Sequence, residues 1–328
     1  MKSTLVPLAA GAAALSLALV GCGSTSTDDG DAGGAGTVQT RTVTDSTGAE
    51  VEVPATPERV VTLHYAATQP VYDLGFTPVG QGAFEPGIVP EELTEEIESV
   101  PVVAEGPEPD LEAIAGLTPD LILAGNIHEE ELVSQLEAIA PVYVYTHRGG
   151  DRARWDLRTE EIADALGVPE RADELADAFE ARQREIADTY ADVIEGTSVG
   201  VIGAYEENNF YAWGEDNMSG TLLTPLGFTW SEQENATVAD EAEPEAVVSN
   251  ERLGSVVGDA DVLFIDSNLR GEVNAFMADL QSTPLYQELP AVENGRVYAA
   301  GKNTVAGYTD ADYTLDRVEE ALRDMRQE

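Results

Sequence analysis

Between Pro169 and Gly196 the chain contains neither glycine nor proline. Across PERADELADAFEARQREIADTYADVIEG the apolar residues fall at 172, 175, 179, 186, 190 and 193–194, which is the period of an α-helix. Pro169 suits a first helical turn, where its missing N–H costs nothing, and Gly196 suits a C-terminal stop. At 1.5 Å per residue such a helix is roughly 40 Å long, more than one small lobe needs. Three to four sustained heptads are absent, which argues against a coiled coil. The segment therefore predicts a rigid strut between two lobes, and the rest of the chain has to be divided around it.

Both flanks carry the same kind of pattern. Before the strut, RVVTL (59–63), TPVGQG (77–82), DLILAG (120–125) and PVYVYT (141–146) are short extended runs separated by helical segments such as EEELVSQLEAIA. After it come SVGVIGA (198–204), DVLFID (261–266) and GRVYAAG (295–301), with helical SGTLLTPLG and the amphipathic end ADYTLDRVEEALRDMRQE. Short apolar strands alternating with helices predict an α/β fold with mainly parallel sheets. The expectation is two Rossmann-like lobes, residues 42–168 and 197–328, joined by the helix 169–196, with a ligand cleft between them.

The halves also echo one another. PDLEAIAGL precedes a strand opened by Asp120, and VSNERLGSVVGDA precedes one opened by Asp261. Glu112 and Glu251 stand before these aspartates, by eight residues in the first half and ten in the second. Each could be a charge that complements a helix N-terminus, or a contact point for another molecule.

The N-terminus is a processing segment rather than fold. Lys2 is followed by an apolar stretch, Leu5–Val20, ending in LVGC (19–22). This predicts a lipoprotein signal peptide over 1–21 and acylation of Cys22, the only cysteine, so no intramolecular disulfide can form. Residues 22–41, rich in Gly, Ser, Thr and Asp, then read as a flexible tether to the bacterial cell membrane. The protein is expected to be extracytoplasmic, lipid-anchored and monomeric.

Net charge is −45, from 62 acidic and 17 basic residues. Such a surface repels nucleic acid and anionic headgroups. It also repels itself unless salt screens it, which points to a saline habitat. Only Lys2 and Lys302 are lysines, and four arginines, Arg148, Arg152, Arg154 and Arg158, crowd into HRGGDRARWDLR. Arginine offers a planar fork of donors suited to catecholate, hydroxamate or carboxylate oxygens, or to salt bridges with Glu160 and Glu161. No G-x-S-x-G, Walker loop or H-E-x-x-H occurs, so a tethered hydrolase is the weaker reading and no catalytic residue is named. The three histidines, His64, His128 and His147, lack the close spacing of metal ligands.

Six stretches together resemble the siderophore and vitamin B12 branch of ABC-transporter substrate-binding proteins. They are DSTGAEVEVPATPERVVTL, DLGFTPVGQG, PDLEAIAGLTPDLILAG, LLTPLGF, VSNERL with ADVLFID, and LPAVENGRVYAAG, in family order. The resemblance implies two α/β lobes joined by one long helix, and capture of a ferric siderophore for an ABC importer. Vitamin B12, haem or a bare metal ion are alternative ligands on the same scaffold. It also implies that Glu112 and Glu251 dock on the permease, where charge pairing sets register and encounter rate. No cofactor is implied beyond the Fe(III)–siderophore cargo. The segment KNTVAGYTDADY departs from the aromatic usual after the last strand.

Ligands of open α/β sheets sit beyond the carboxyl ends of strands. That rule nominates His64, Tyr65, Asn126, His147 and Arg148 in the first lobe. In the second it nominates Tyr205, then Tyr211 and Trp213 in a loop NNFYAWG, and Asn268 with Arg270. The acidic field favours neutral or cationic hydroxamate complexes over anionic ones.

Overall fold

The computed structural model describes residues 39–106, 108–149 and 153–327. Cys22, the signal segment and Arg152 lie outside the described residues. The described chain opens with an antiparallel hairpin, β1 (Thr40–Thr44) and β2 (Glu50–Pro54). Thr40 pairs with Pro54, so the fold begins before the expected Thr42. Arg41 anchors the hairpin by an ion pair with Asp164.

The first sheet is parallel, with β3 (Val60–Thr62), β6 (Leu121–Gly125) and β7 (Val142–Tyr145) side by side. A parallel pair, β4 (Gln81–Gly82) and β5 (Val102–Ala104), joins β3 through the Thr62 N–Gly80 O and Val79 N–Val60 O bonds, 3.0 and 2.8 Å. The continuous apolar runs reflect burial on both faces. In β6, Leu121 and Leu123 enter one core, while Ile122 and Ala124 enter the other.

The second lobe repeats the plan with a mixed sheet. Its strands are β8 (Ser198–Glu206), β9 (Asn209–Trp213), β10 (Thr229–Trp230), β11 (Glu245–Ser249), β12 (Val262–Ile265) and β13 (Val297–Ala299). β8, β12 and β13 are parallel neighbours, and β10 pairs parallel with the start of β8. β9 and β11 add antiparallel pairs. Here too Val262 and Phe264 face one core, Leu263 and Ile265 the other.

The echo between halves has an atomic cause. Asp120 accepts hydrogen bonds from the Glu58 and Arg59 amides at 2.8 and 2.9 Å, at the start of β3. Asp261 accepts from the Ser198 amide and hydroxyl, both 2.9 Å, at the start of β8. In each lobe the aspartate that opens one strand caps the beginning of its neighbour.

The connecting helix runs Pro169–Thr189, about 32 Å at 1.5 Å per residue. It ends earlier than the predicted Gly196 because Tyr190 leaves helical geometry (φ −114°, ψ 19°). Tertiary contacts hold Tyr190 there: its hydroxyl donates to Glu319 and accepts from Arg323, and Arg326 lies 4.5 Å over its ring. A short helix, Ala191–Ile194, and Gly196 at φ 80° follow. Along the connecting helix Ala172 enters a first-lobe core, Phe179 and Ile186 enter a second-lobe core, and Leu175 packs on both. Trp155 meets Phe179 and Tyr308 edge-on at 5.4 and 5.0 Å. Asp73 at the end of helix Tyr65–Asp73 accepts from Thr309 Oγ1 at 2.5 Å, at the start of the terminal helix Tyr308–Met325. One side of the lobe interface is therefore a buried, well-satisfied joint.

Candidate functional site

A cavity of about 320 Å³ opens beyond the carboxyl ends of β3 and β7. His64, Tyr65, Thr146, His147, Arg148, Arg154, Leu157 and Arg158 line it from the first lobe, and Met218 and Thr304 from the second. Four of the sequence-nominated residues thus share one wall: His64, Tyr65, His147 and Arg148.

Each is placed by local structure. His64 is the N-cap of helix Tyr65–Asp73, and its Nδ1 accepts the Ala66 amide at 3.1 Å. That acceptor role leaves the ring proton on Nε2. His147 sits edge-on to it, ring centroids 4.6 Å apart. Gly125 makes room: a Cβ there would lie 2.9 Å from His147 Cβ. Burial, with Arg158 and Arg148 adding repulsion, lowers His64 to about 4. Burial first, then His64 and the same arginines, lowers His147 to about 3. Both imidazoles are neutral at pH 7.

The positive charge comes from the arginines. Arg154 is engaged, with Asp156 and Glu160 both at 2.9 Å. Arg158 is not: it is 7 % exposed, and its bond to a described residue is a long 3.4 Å contact from Nε to Thr146 O. Glu161, which could have paired with it, instead holds the Thr146 amide and hydroxyl at 2.6 and 2.7 Å. Burial pulls the Arg158 guanidinium below its ordinary pKa. Arg148 is exposed, and its guanidinium likewise has no carboxylate partner among the described residues.

On the second lobe Tyr205 is 41 % exposed and packs edge-on to Tyr211 at 5.1 Å, with Trp213 at 6.2 Å. Desolvation of its hydroxyl, with the Asp266 carboxylate nearby, raises the phenol. Burial pushes Asp266 up to about 6 against the opposing bond from the Asn303 amide at 2.9 Å. Lys302 follows β13, where the sequence departs from the usual aromatic. It pairs with Asp310 at 2.7 Å and lies 5.2 Å over the Tyr65 ring.

Several nominated residues do other work. NNFYAWG is the strand β9, turned from β8 at Asn208 (φ 64°), and not a loop. Trp213 is 4 % exposed within a hydrophobic core. Asn126 positions the cavity loop: its Oδ1 accepts the His147 and Arg148 amides at 3.0 and 2.9 Å, and its Nδ2 donates to Arg148 O at 2.8 Å. Asn268 closes its own turn, accepting the Arg270 and Glu272 amides, both at 2.9 Å. Arg270 reaches across to Thr94 Oγ1 at 3.2 Å. Short polar side chains after strands satisfy loop amides as readily as ligands, so sequence position alone does not separate the two. Arg154 and Arg158 were legible as members of the arginine cluster. Thr146, Met218 and Thr304 carried no signal. Among the described residues no group of three or more His, Cys, Asp or Glu is arranged to hold a metal ion.

The periplasmic binding protein family matches residues 60–304. The chain belongs to that family. Among its relatives is the Fe(3+)-citrate-binding protein YfmC of Bacillus subtilis, 29% identical over 81% of this chain and 79% of that protein. The probable siderophore-binding lipoprotein YfiY of the same organism is 27% identical, covering 86% of this chain and 87% of its own length. Among solved structures, the siderophore periplasmic binding protein from the fuscachelin gene cluster of Thermobifida fusca superposes with a TM-score of 0.72. It is 29% identical and covers 83% of this chain and 98% of that one. The two lobes, the helix between them and the cavity at the strand ends are thus those of a periplasmic binding protein.

Proposed function

We propose that this binding protein captures an anionic ferric chelate, a siderophore bearing carboxylate or catecholate oxygens, and delivers it to an ABC importer. The observation that carries the ligand class is Arg158. Acidic residues outnumber basic ones 62 to 17, yet this buried guanidinium has no carboxylate partner among the described residues. An unpaired buried charge costs several kcal/mol, and an anionic ligand relieves that cost where a neutral hydroxamate complex does not. Tyr65 adds aromatic surface to the cavity. The related proteins named for ferric citrate and siderophores support the iron reading. The acidic exterior slows encounter with such a ligand, while the cleft's own field holds it.

Delivery rests on Glu112 and Glu251. Both are exposed, and neither carboxylate bonds to a described residue. Glu112 is the second residue of helix Leu111–Gly116, whose N-cap Asp110 accepts the Ala113 amide at 2.9 Å. Glu251 lies in the turn Asn250–Arg252, capped by Ser249. The helix starts are thus already capped by other residues, leaving these two carboxylates for arginines on a permease. Acylated Cys22 tethers a monomer close to that partner.

Quenching of tryptophan fluorescence by ferric citrate, a ferric catecholate, a ferric hydroxamate, cobalamin and zinc tests the ligand class. Tight binding is expected from the first two. Binding of cobalamin or zinc alone would overturn the proposal, and preference for the hydroxamate would overturn the anionic assignment.

A further inference from the structure

The lobes meet at two places of different character. One is the buried joint of Trp155, Phe179 and Tyr308 with the connecting helix. The other is the segment 84–94 of the first lobe, which is tied to the second by hydrogen bonds. Gly87 O accepts the Leu269 amide at 2.7 Å, Ile88 O accepts Lys302 Nζ at 3.0 Å, and Thr94 Oγ1 accepts Arg270 Nη2 at 3.2 Å. Gly87 adopts φ 92°, and a Cβ there would lie 2.5 Å from Asn268 Nδ2. Only glycine allows both the conformation and this approach.

Tyr65 links the segment to the ligand cavity. One side of its ring lines the cavity. Another borders a small void with Phe84, Ile88 and Val89, and Lys302 lies over the ring. The cavity, at about 320 Å³, is at the small end of the 300–1,000 Å³ range for ligand sites. A wall built from an aromatic ring, a loop and three polar ties is cheaper to displace than the aromatic joint.

We propose that residues 84–94 form a strap, latched to the second lobe by Leu269, Arg270 and Lys302, and that it lifts to admit and release the ligand while the aromatic joint stays closed. This deepens the reading of the cleft as a ferric-chelate site. It also gives a role to Asn268 and Arg270, which touch the latch rather than the cavity.

Amide hydrogen exchange on the ligand-free full chain carrying Cys22→Ser tests the strap without a ligand. The Leu269 amide, bonded to Gly87 O, can exchange only when the latch opens. The Leu263 amide, bonded to Arg296 O within the β12–β13 pair, is the internal control. Leu269 is expected to exchange at least 100-fold faster than Leu263, and Arg270→Ala, which removes the exposed tie to Thr94, to speed Leu269 about threefold further without changing Leu263. Equal protection of the two amides, or no effect of Arg270→Ala, overturns the strap. Ligand association gives a second readout. Arg270→Ala, which removes a tie of the latch without touching the cavity, should speed association of ferric citrate at least threefold. An association rate equal to that of the unchanged protein overturns the gate. If neither protein binds ferric citrate, the ligand reading fails and the exchange rates still decide the strap.

Discussion

Replacing Arg158 with methionine should move stability and affinity in opposite directions. In the free protein the guanidinium is 7 % exposed, and its one bond to a described residue is the 3.4 Å contact with Thr146 O. Glu161 and Asp310 attract it from beyond ion-pair distance, which offsets some of its desolvation. Exchanging buried charge for a well-packed apolar side chain is often stabilising by 1–4 kcal/mol. With that partial compensation the gain here is about 1–2 kcal/mol, a rise in Tm of about 2–4 °C for a chain of this size. In the complex the same guanidinium meets a desolvated anion, and loss of one such partner costs about 2–5 kcal/mol. At 1.4 kcal/mol per decade, affinity falls roughly 30- to 4,000-fold. Arg158→Lys keeps the charge but not the planar fork, so it should fall between. Thermal unfolding of the free protein and fluorescence titration with ferric citrate measure the two quantities. An Arg158→Met protein that melts lower and binds ferric citrate as tightly as before would show that Arg158 is a structural cation, and the anionic-ligand argument would fall with it.

Glu112→Ala and Glu251→Ala should leave ligand affinity unchanged and slow uptake in whole cells; a weakened affinity would move either glutamate into the pocket and refute docking. His64 and His147 are lowered to about 4 and 3 in the folded state, so between those values and 6.5 the unfolded chain binds more protons. Stability is therefore lost as pH falls below about 6.5, by up to ~2 kcal/mol per ring at pH 5, trimmed to about 1 kcal/mol by partial exposure. Urea unfolding at pH 5 and 7 should show this loss, reduced in His147→Asn; an unchanged pH slope would contradict it. Asp120→Ala and Asp261→Ala each leave strand-start amides unpaired and should cost about 1–3 kcal/mol by urea unfolding, with similar values for the two lobes. Finally, a net charge of −45 predicts a higher Tm in 1 M salt than at low salt, where the Debye length is about 30 Å at 0.01 M against 3 Å at 1 M; a salt-independent Tm would count against the halotolerant reading.

The strands and helices were legible because their signals are local. LILAG, VYVY, VLFI and the period of 172–186 each require only near neighbours and one repeat distance. The echo of Asp120 and Asp261 was also legible as a pattern. Its cause, a carboxylate capping the adjacent strand, lies across 62 or 63 residues of chain. The end of the connecting helix was not legible, since Tyr190 is turned by contacts from Glu319, Arg323 and Arg326 at the far end of the sequence. Nor was β9: Asn208 takes a left-handed turn there, and the polar, aromatic run NNFYAW suits a loop or an edge of sheet equally.

By itself, then, the sequence determined two α/β lobes, a helix between them, and a short set of residues at strand ends from which a site could be built. Tertiary structure decided which of those residues face the cavity. Asn126 and Asn268 turned inward to loop amides. Arg154 found Asp156 and Glu160 within its own turn of chain. Arg158, four residues on, lost Glu161 to Thr146 and was left buried with no described carboxylate beside it. Propensity and spacing act between neighbours, whereas pairing and desolvation depend on what folding brings alongside.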